Sequence, residues 1–299
     1  MGAVMTRELN QAKLHSILRQ SPRLFFAHLF PKVDNTEGFE CPWHLHAISQ
    51  HLLEMYNGQC RRLIINAPPR SLKTSMANSY FIPWLLGKNP KTKVIVVTYG
   101  DDLSTTLARA TKKVFIHPAY QQIFPHTVLE NDRMQATRLR TPQGGQVIFT
   151  SIHGALTGLG ADWIILDDPL QAAHMRSEVR QDDLAQVFRH SVTTRLNDPE
   201  TGKMLLVQQR ISPNDLCGDL TRHPGHPWTV LSLPARFDEP AEFNLGIFGP
   251  KEVTAGELLT PHRMSERFLS EKQSEMGHAA FYAQYLQKPL VEEDCPIDF

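Results

Sequence analysis

Three short clusters in this sequence have the residue types and spacing to do chemistry, and each follows an apolar, β-type run. The first is Ala67-Pro68-Pro69-Arg70-Ser71-Leu72-Lys73-Thr74, which comes after Leu63-Ile64-Ile65 and leads through Ser75 into helix formers. A strand that feeds a tight turn, which then opens a helix, is the layout of a phosphate-binding loop. The backbone N–H groups of such a turn and the helix N-terminus behind it favour an anion. In that layout Lys73 reaches the outer phosphates and the Thr74 hydroxyl holds Mg²⁺. The spacing fits G-x-x-x-x-G-K-[ST], with Ala67 and Leu72 where the pattern has glycine. Taken alone, the stretch equally fits a proline-broken turn with a solvated lysine. The two prolines can stiffen the turn, whereas Leu72 sets a β-carbon where glycine would be less strained.

The second cluster ends the run Trp163-Ile164-Ile165-Leu166-Asp167-Asp168-Pro169. A strand adjacent to the phosphate-loop strand and ending in a carboxylate can orient a Mg²⁺ shell, and the next carboxylate can polarise an attacking water. Asp167 suits the metal role and Asp168 the general-base role. A plain helix cap is the other use of such a pair. The third cluster, Gln208-Gln209-Arg210, ends the run Leu205-Leu206-Val207. Gln209 could bond both a γ-phosphate and the carboxylate site and so report the phosphate's presence to another element. A polar strand terminus is the alternative.

These clusters need a sheet to hold them, and the rest of the chain supplies one. Residues Glu8 to Leu29 have helical spacing, broken at Ser21-Pro22, and Pro42-Trp43-His44 opens a helix that runs to about Tyr56. After the loop, Ser75 to Leu86 reads as a helix with a kink at Pro83. Lys93–Tyr99 is a β-branched run of the kind buried on both faces of a parallel sheet. Asp101-Asp102 caps a helix from Leu103 to Phe115, and Leu139–Thr150 reads as a hairpin turning at Gly144-Gly145. Further helices are expected over Ser177–Arg195 and Ser212–Leu220, and further strands over Lys203–Gln208 and Trp228–Leu233. Such alternation predicts an α/β fold with a mainly parallel central sheet flanked by helices. Phe237–Leu259 reads as loop, followed by helices over Pro261–Met276 and Gly277–Leu286. The expected division is an N-terminal helical arm (1–40), an ATPase-type core (41–235) and a small C-terminal subdomain or linker (236–299).

The 299 residues carry 31 basic and 31 acidic side chains, so net charge gives no argument for nucleic acid and any basic face must be local. No apolar run reaches membrane-span length, and the N-terminus lacks a signal peptide's apolar segment. Cys41, Cys60, Cys217 and Cys295 are scattered, as expected of reduced thiols in the cytosol. The fourteen histidines make no metal-ligand pattern.

The ordered series Trp43-His44, NAPPRSLKTS, VVTYGDDLS, TGLGADWIILDDP, RSEVRQDDLAQVFRHSVTTRLND, MLLVQQRISPNDLCGDL, WTVLSLPA and FYAQYLQKPL resembles the ATPase half of the tailed-phage terminase large subunit. The likeness runs from about Pro42 to Pro289, and its proline-proline-arginine loop is typical of that family. It implies a P-loop NTPase fold, ATP and Mg²⁺ as ligands, and DNA packaging as the activity. Pro69, Arg70, Ser71, Leu72, Lys73, Thr74 and Ser75 would line the nucleotide, with Arg70 as a sensor over the phosphates. Thr74 and Asp167 would hold Mg²⁺, Asp168 would be catalytic, and Gln209 and Arg210 would lie in the coupling motif. Trp43 and His44 match the segment that contacts adenine, although His44 stands where glutamine is more usual and Trp43 also reads as a packed core aromatic. The implied partners are double-stranded DNA held by its phosphates, a portal protein, a small terminase subunit and further copies in a ring, in the host cytoplasm without a membrane.

Two departures accompany the likeness. Leu159 lies between Gly158 and Gly160, where a neighbour-directed arginine is expected, which leaves Arg109, Arg138, Arg140 and Arg195 as candidates. The nuclease domain of full-length members has no counterpart here, and Glu292, Glu293, Asp294 and Asp298 read as a solvated cluster. A non-hydrolysing assembly module, or another P-loop DNA translocase, is the alternative function.

Overall fold

Runs rich in aliphatic residues form the central strands, and the amphipathic stretches between them form the covering helices. The computed structural model describes residues 2–130, 136–174, 177–223 and 225–290. Helices α1 (Gly2–Gln20), α2 (Pro22–Val33) and α3 (Trp43–Tyr56) precede strand β1 (Arg62–Asn66). A π-helical turn (Ser75–Tyr80) passes into α4 (Phe81–Lys88), followed by β2 (Lys93–Thr98), α5 (Asp101–Ile116) and α6 (Pro118–Ile123). Next come β3 (Arg138–Arg140), β4 (Gln146–Ser151), β5 (Trp163–Asp167), α7 (Glu178–Val187), β6 (Lys203–Gln208), α8 (Leu216–Arg222) and β7 (Thr229–Ser232). A hairpin of β8 (Ala241–Asn244) and β9 (Pro250–Val253) leads to α9 (Glu266–Met276) and α10 (His278–Gln284).

Seven strands make one sheet in the order β3-β4-β2-β5-β6-β1-β7, parallel throughout except for the antiparallel β3–β4 pair. Successive side chains point to opposite faces, so two cores form. Leu63, Ile65, Val96, Ile165 and Val207 face helices α2 to α5. Ile64, Val97, Ile164, Leu166 and Leu206 face α7 and α8. Phe25, Phe26 and Leu29 of α2 are fully buried in the first core, which builds the N-terminal stretch into the domain. The break before it falls at Ser21, whose Oγ accepts the Leu24 N–H while Pro22 opens the helix. Ala235, Met264, Leu269, Phe281, Tyr285 and Leu286 form a third, smaller core.

The structure departs from the sequence expectations at several points. Strand β5 is not adjacent to β1, because β6 lies between them. The crossover from β1 to β2 must pass over both β6 and β5, and its first turn therefore reaches the end of β5 across one intervening strand. The helical irregularity lies at Ser75–Tyr80 and not at Pro83. Pro83 offers no N–H and its ring excludes the carbonyl four residues back, which the widened turn accommodates. Gly100, not the aspartates, holds the cap position of α5, and Asp101 and Asp102 fall in its first turn. Helix α8 starts at Leu216, after an Asp215 cap, and not at Ser212. The β8–β9 hairpin occupies a stretch read as loop. Among the described residues, no helix is long and apolar enough to cross a membrane. The acidic cluster at 292–298 lies outside the described residues.

Candidate active site

The loop after β1 is built on two left-handed residues that are not glycine, Arg70 (φ 63°) and Leu72 (φ 65°). The strain expected at Leu72 is thus present, and Arg70 shares it. Residues of this kind turn successive peptide N–H groups to one side, as in an anion-binding nest. The loop is tethered from below by His44, which is 1% exposed and whose Nε2 donates to the Ser71 carbonyl at 2.9 Å. Burial pushes the His44 pKa down to about 4, so the ring is neutral, and the carbonyl partner places the proton on Nε2. His44 Nδ1 and Ser71 Oγ are buried without a partner among the described residues. Trp43 packs on Phe237 and Phe243, with ring centroids 6.1 and 5.2 Å away.

Lys73 and Thr74 leave this loop for the end of β5. Lys73 Nζ lies 3.3 Å from Asp168 Oδ2. Thr74 Oγ1 donates to Asp167 Oδ1 at 3.0 Å, and Asn78 Nδ2 donates to Asp167 Oδ2 at 2.7 Å. Asp167 is 1% exposed. Burial, and then the Asp168 charge, push its pKa up, while Lys73, Thr74 and Asn78 oppose the rise. A buried carboxylate short of positive charge suits a cation. Its neighbour Asp168 also takes a left-handed backbone (φ 41°). The Asp168 N–H donates to the Val207 carbonyl at 2.8 Å, and its Oδ1 accepts the Gln209 N–H at 3.1 Å. The structure therefore brings Lys73, Thr74, Asp167 and Asp168 together at the carboxyl ends of the parallel strands, where α/β sheets place ligands.

Gln209 reaches Asp168 through its backbone. Arg210 does not turn toward the loop: its Nε donates to both oxygens of buried Asp215, at 3.0 and 2.9 Å, and a terminal nitrogen donates to the Ser212 carbonyl. The Arg210 N–H donates to Gln287 Oε1 at 3.0 Å, so two consecutive peptide groups of one turn hold Asp168 and the C-terminal segment. Exposed Arg70 lies within electrostatic reach of Tyr285. Of the other arginines considered, Arg138 and Arg140 lie on edge strand β3 and Arg109 on α5. Arg195 lines a cavity of about 400 Å³ with His153 and His190. Sequence reading missed Asn78, Asp215 and Gln287. Asn78 had one signal, a polar residue four after Thr74 on the same helical face.

No protein-family profile matches the chain. It is 23% identical over 259 residues to the terminase large subunit of Enterobacteria phage T3, a match that spans 79% of this chain and 42% of that protein. The chain is thus similar in sequence to a phage terminase large subunit. It spans less than half the length of that terminase. Among solved structures, the HK97 bacteriophage large terminase aligns with TM-score 0.49 and 13% identity, over 79% of this chain and 48% of its own. The Thermus phage P74-26 large terminase ATPase domain aligns with TM-score 0.49 and 15% identity, over 80% of this chain and 92% of its own.

Proposed function

We propose that this chain is an ATP-hydrolysing motor of phage DNA packaging, with residues 41–235 as the ATPase core, 1–40 as an N-terminal helical arm and 236–299 as a small C-terminal subdomain or linker. The observation that carries the reading is the convergence of Lys73 and Thr74, from the turn after β1, on Asp167 and Asp168 at the end of β5. The likeness to a terminase large subunit supports packaging as the context.

ATP would lay its phosphates along Pro69–Ser75, with Trp43 and His44 behind the loop. Mg²⁺, when bound, neutralises phosphate charge, and one carboxylate with one hydroxyl is a donor set it takes beside phosphates and waters. Asp167 and Thr74 offer that set. Lys73 now holds Asp168 in an ion pair. An incoming phosphate gives Lys73 a second anion, which frees Asp168 to accept a proton from water. Asp168 is the more exposed carboxylate of the two, its side chain 30% accessible, as a group that meets water must be. Arg70 would sense the phosphates from the loop's outer turn. Gln209 and Arg210 would pass the state of Asp168 to Gln287 and the C-terminal helices. That movement would push duplex DNA by its phosphates, with a portal, a small terminase subunit and neighbouring copies as partners.

The test is ATP turnover with and without Mg²⁺. Lys73→Ala and Asp168→Asn should each lower turnover by at least about 100-fold, as loss of a general base does. Turnover unchanged in either variant overturns the catalytic reading. ATP binding without turnover by the unsubstituted chain would mark it as a non-hydrolysing assembly module.

A further inference from the structure

We propose that Asn78 is a positioning residue for the metal-binding carboxylate, brought to it by the π-helical turn. Asn78 is 0% exposed and donates its Nδ2 to Asp167 Oδ2 at 2.7 Å. Thr74, four residues earlier, donates to the other oxygen, Oδ1, at 3.0 Å. One helical face thus grips both oxygens of one carboxylate, and the two grips differ in kind. The Thr74 hydroxyl is itself a metal ligand in the proposed site: a lone pair of its oxygen would go to the cation while its O–H goes on donating to Oδ1, so it serves both groups. The Asn78 amide has no such second task. It keeps Oδ2 occupied and leaves Oδ1 as the oxygen turned toward the cation.

The π-turn explains how an amide comes to lie there. Asn78 sits inside Ser75–Tyr80, the one stretch where the helix after the loop departs from α geometry, among Met76, Ala77, Tyr80 and Phe81, which are all buried. A single amide in this apolar helix has to find a partner, and Asp167 provides it. The Asn78 Oδ1 is buried and has none among the described residues. That acceptor, beside Asp167, suits a water of the cation's shell, because an unfilled buried acceptor is otherwise costly. Partners of this sort orient metal-binding carboxylates, and their loss weakens metal affinity by roughly 10- to 100-fold.

The inference rests on Thr74 and Asp167 forming the nucleotide–metal site. The test measures Mn²⁺ affinity by electron paramagnetic resonance, with the full chain bound to a non-hydrolysable ATP analogue. Asn78→Ala should weaken Mn²⁺ binding about tenfold while analogue affinity in EDTA stays within about twofold. In turnover, the Mg²⁺ concentration for half-maximal rate should rise, with kcat at saturating Mg²⁺ changed far less. Asn78→Ser, which keeps a small polar group in the helix, carries the same expectation if Asn78→Ala folds poorly. Unchanged Mn²⁺ affinity in a folded variant overturns the proposal, whatever happens to its melting temperature. Equal loss of analogue and metal affinity overturns it too, since that would be general damage to the loop. If the unsubstituted chain binds the analogue but no Mn²⁺, the metal site itself is wrong.

Discussion

The turns that follow β1 and β6 leave neighbouring strands at the same end of the sheet and lead into helices, yet they solve their polar bookkeeping in opposite ways. In the β6 turn one buried carboxylate serves several donors. Asp215 accepts from the Ile211 and Gly218 N–H groups and from Arg210 Nε, and so caps α8 and neutralises the arginine at once. The β1 turn keeps two left-handed residues, with buried Ser71 Oγ lacking a partner in the turn and His44 Nδ1 lacking one beneath it. Strain and unfilled hydrogen-bonding groups persist only where the surroundings hold them in place, and such spots gather at ligand sites. The contrast separates a residue that binds a ligand from one that braces the fold. In the proposed reading Lys73 is of the first kind, and Arg210, held by Asp215, is of the second.

The largest effect on stability is expected where the β6 turn is broken. Asp215→Ala leaves the Arg210 guanidinium, which is 15% exposed, without its partner and removes the cap of α8. Loss of a buried partner destabilises by about 3–5 kcal/mol, read as a fall in the urea midpoint. Lys73→Ala should lower that midpoint less, by about 1 kcal/mol, because the carboxylate it leaves behind, Asp168, is 30% accessible to water even though Lys73 itself is buried. Comparable destabilisation by the two substitutions would erase the distinction between the turns.

This distinction was only half legible in the sequence. Strand–turn–helix spacing led to Lys73, Thr74, Asp167 and Asp168 because each ends or closely follows a buried run, and buried runs such as Lys203–Gln208 are plain from their aliphatic residues. Strand order was not legible. Nothing in the spacing says that β6 would insert between β5 and β1. The tripeptide Gln208-Gln209-Arg210 gave no sign of where the guanidinium goes, since Asp215 becomes its partner only when the turn closes. The β8–β9 hairpin escaped notice because its strands are mostly exposed and lack the alternation of a half-buried strand. Asn78 belonged to none of the motifs, because its partner Asp167 lies on a strand remote in the chain.

A pH titration sharpens the comparison, because the β1 turn hangs on a histidine. The His44 pKa is about 4 in the folded chain against an ordinary 6.5, lowered first by burial and also by the facing charges of His46 and Arg263. As pH falls below 6.5, the unfolded chain takes up a proton that the folded chain refuses. Stability is therefore full above 6.5 and is lost between about 6.5 and 4, by about 3 kcal/mol in all. His44→Gln can keep an amide donor for the Ser71 carbonyl and has no proton to gain. Its urea midpoint, compared with that of the unsubstituted chain at pH 7.5, 6 and 5, should lack this part of the acid slope. Parallel slopes would mean that His44 does not govern the acid sensitivity of the loop.

The smallest effect tests whether the strain itself is real. Arg70 is exposed, so replacing it removes little packing, and its φ of 63° is one that glycine adopts freely. A left-handed residue with a β-carbon costs about 1–2 kcal/mol, and the greater freedom of glycine in the unfolded chain returns part of that. Arg70→Gly should therefore stabilise the chain by about 0.5–1 kcal/mol, visible as a small rise in the urea midpoint, while turnover falls for want of the guanidinium proposed to sense the phosphates. Gain in stability with loss of activity, from one exposed residue, is what a strained ligand loop predicts. A loss of both would instead mean that Arg70 braces the loop, as Arg210 braces the turn after β6.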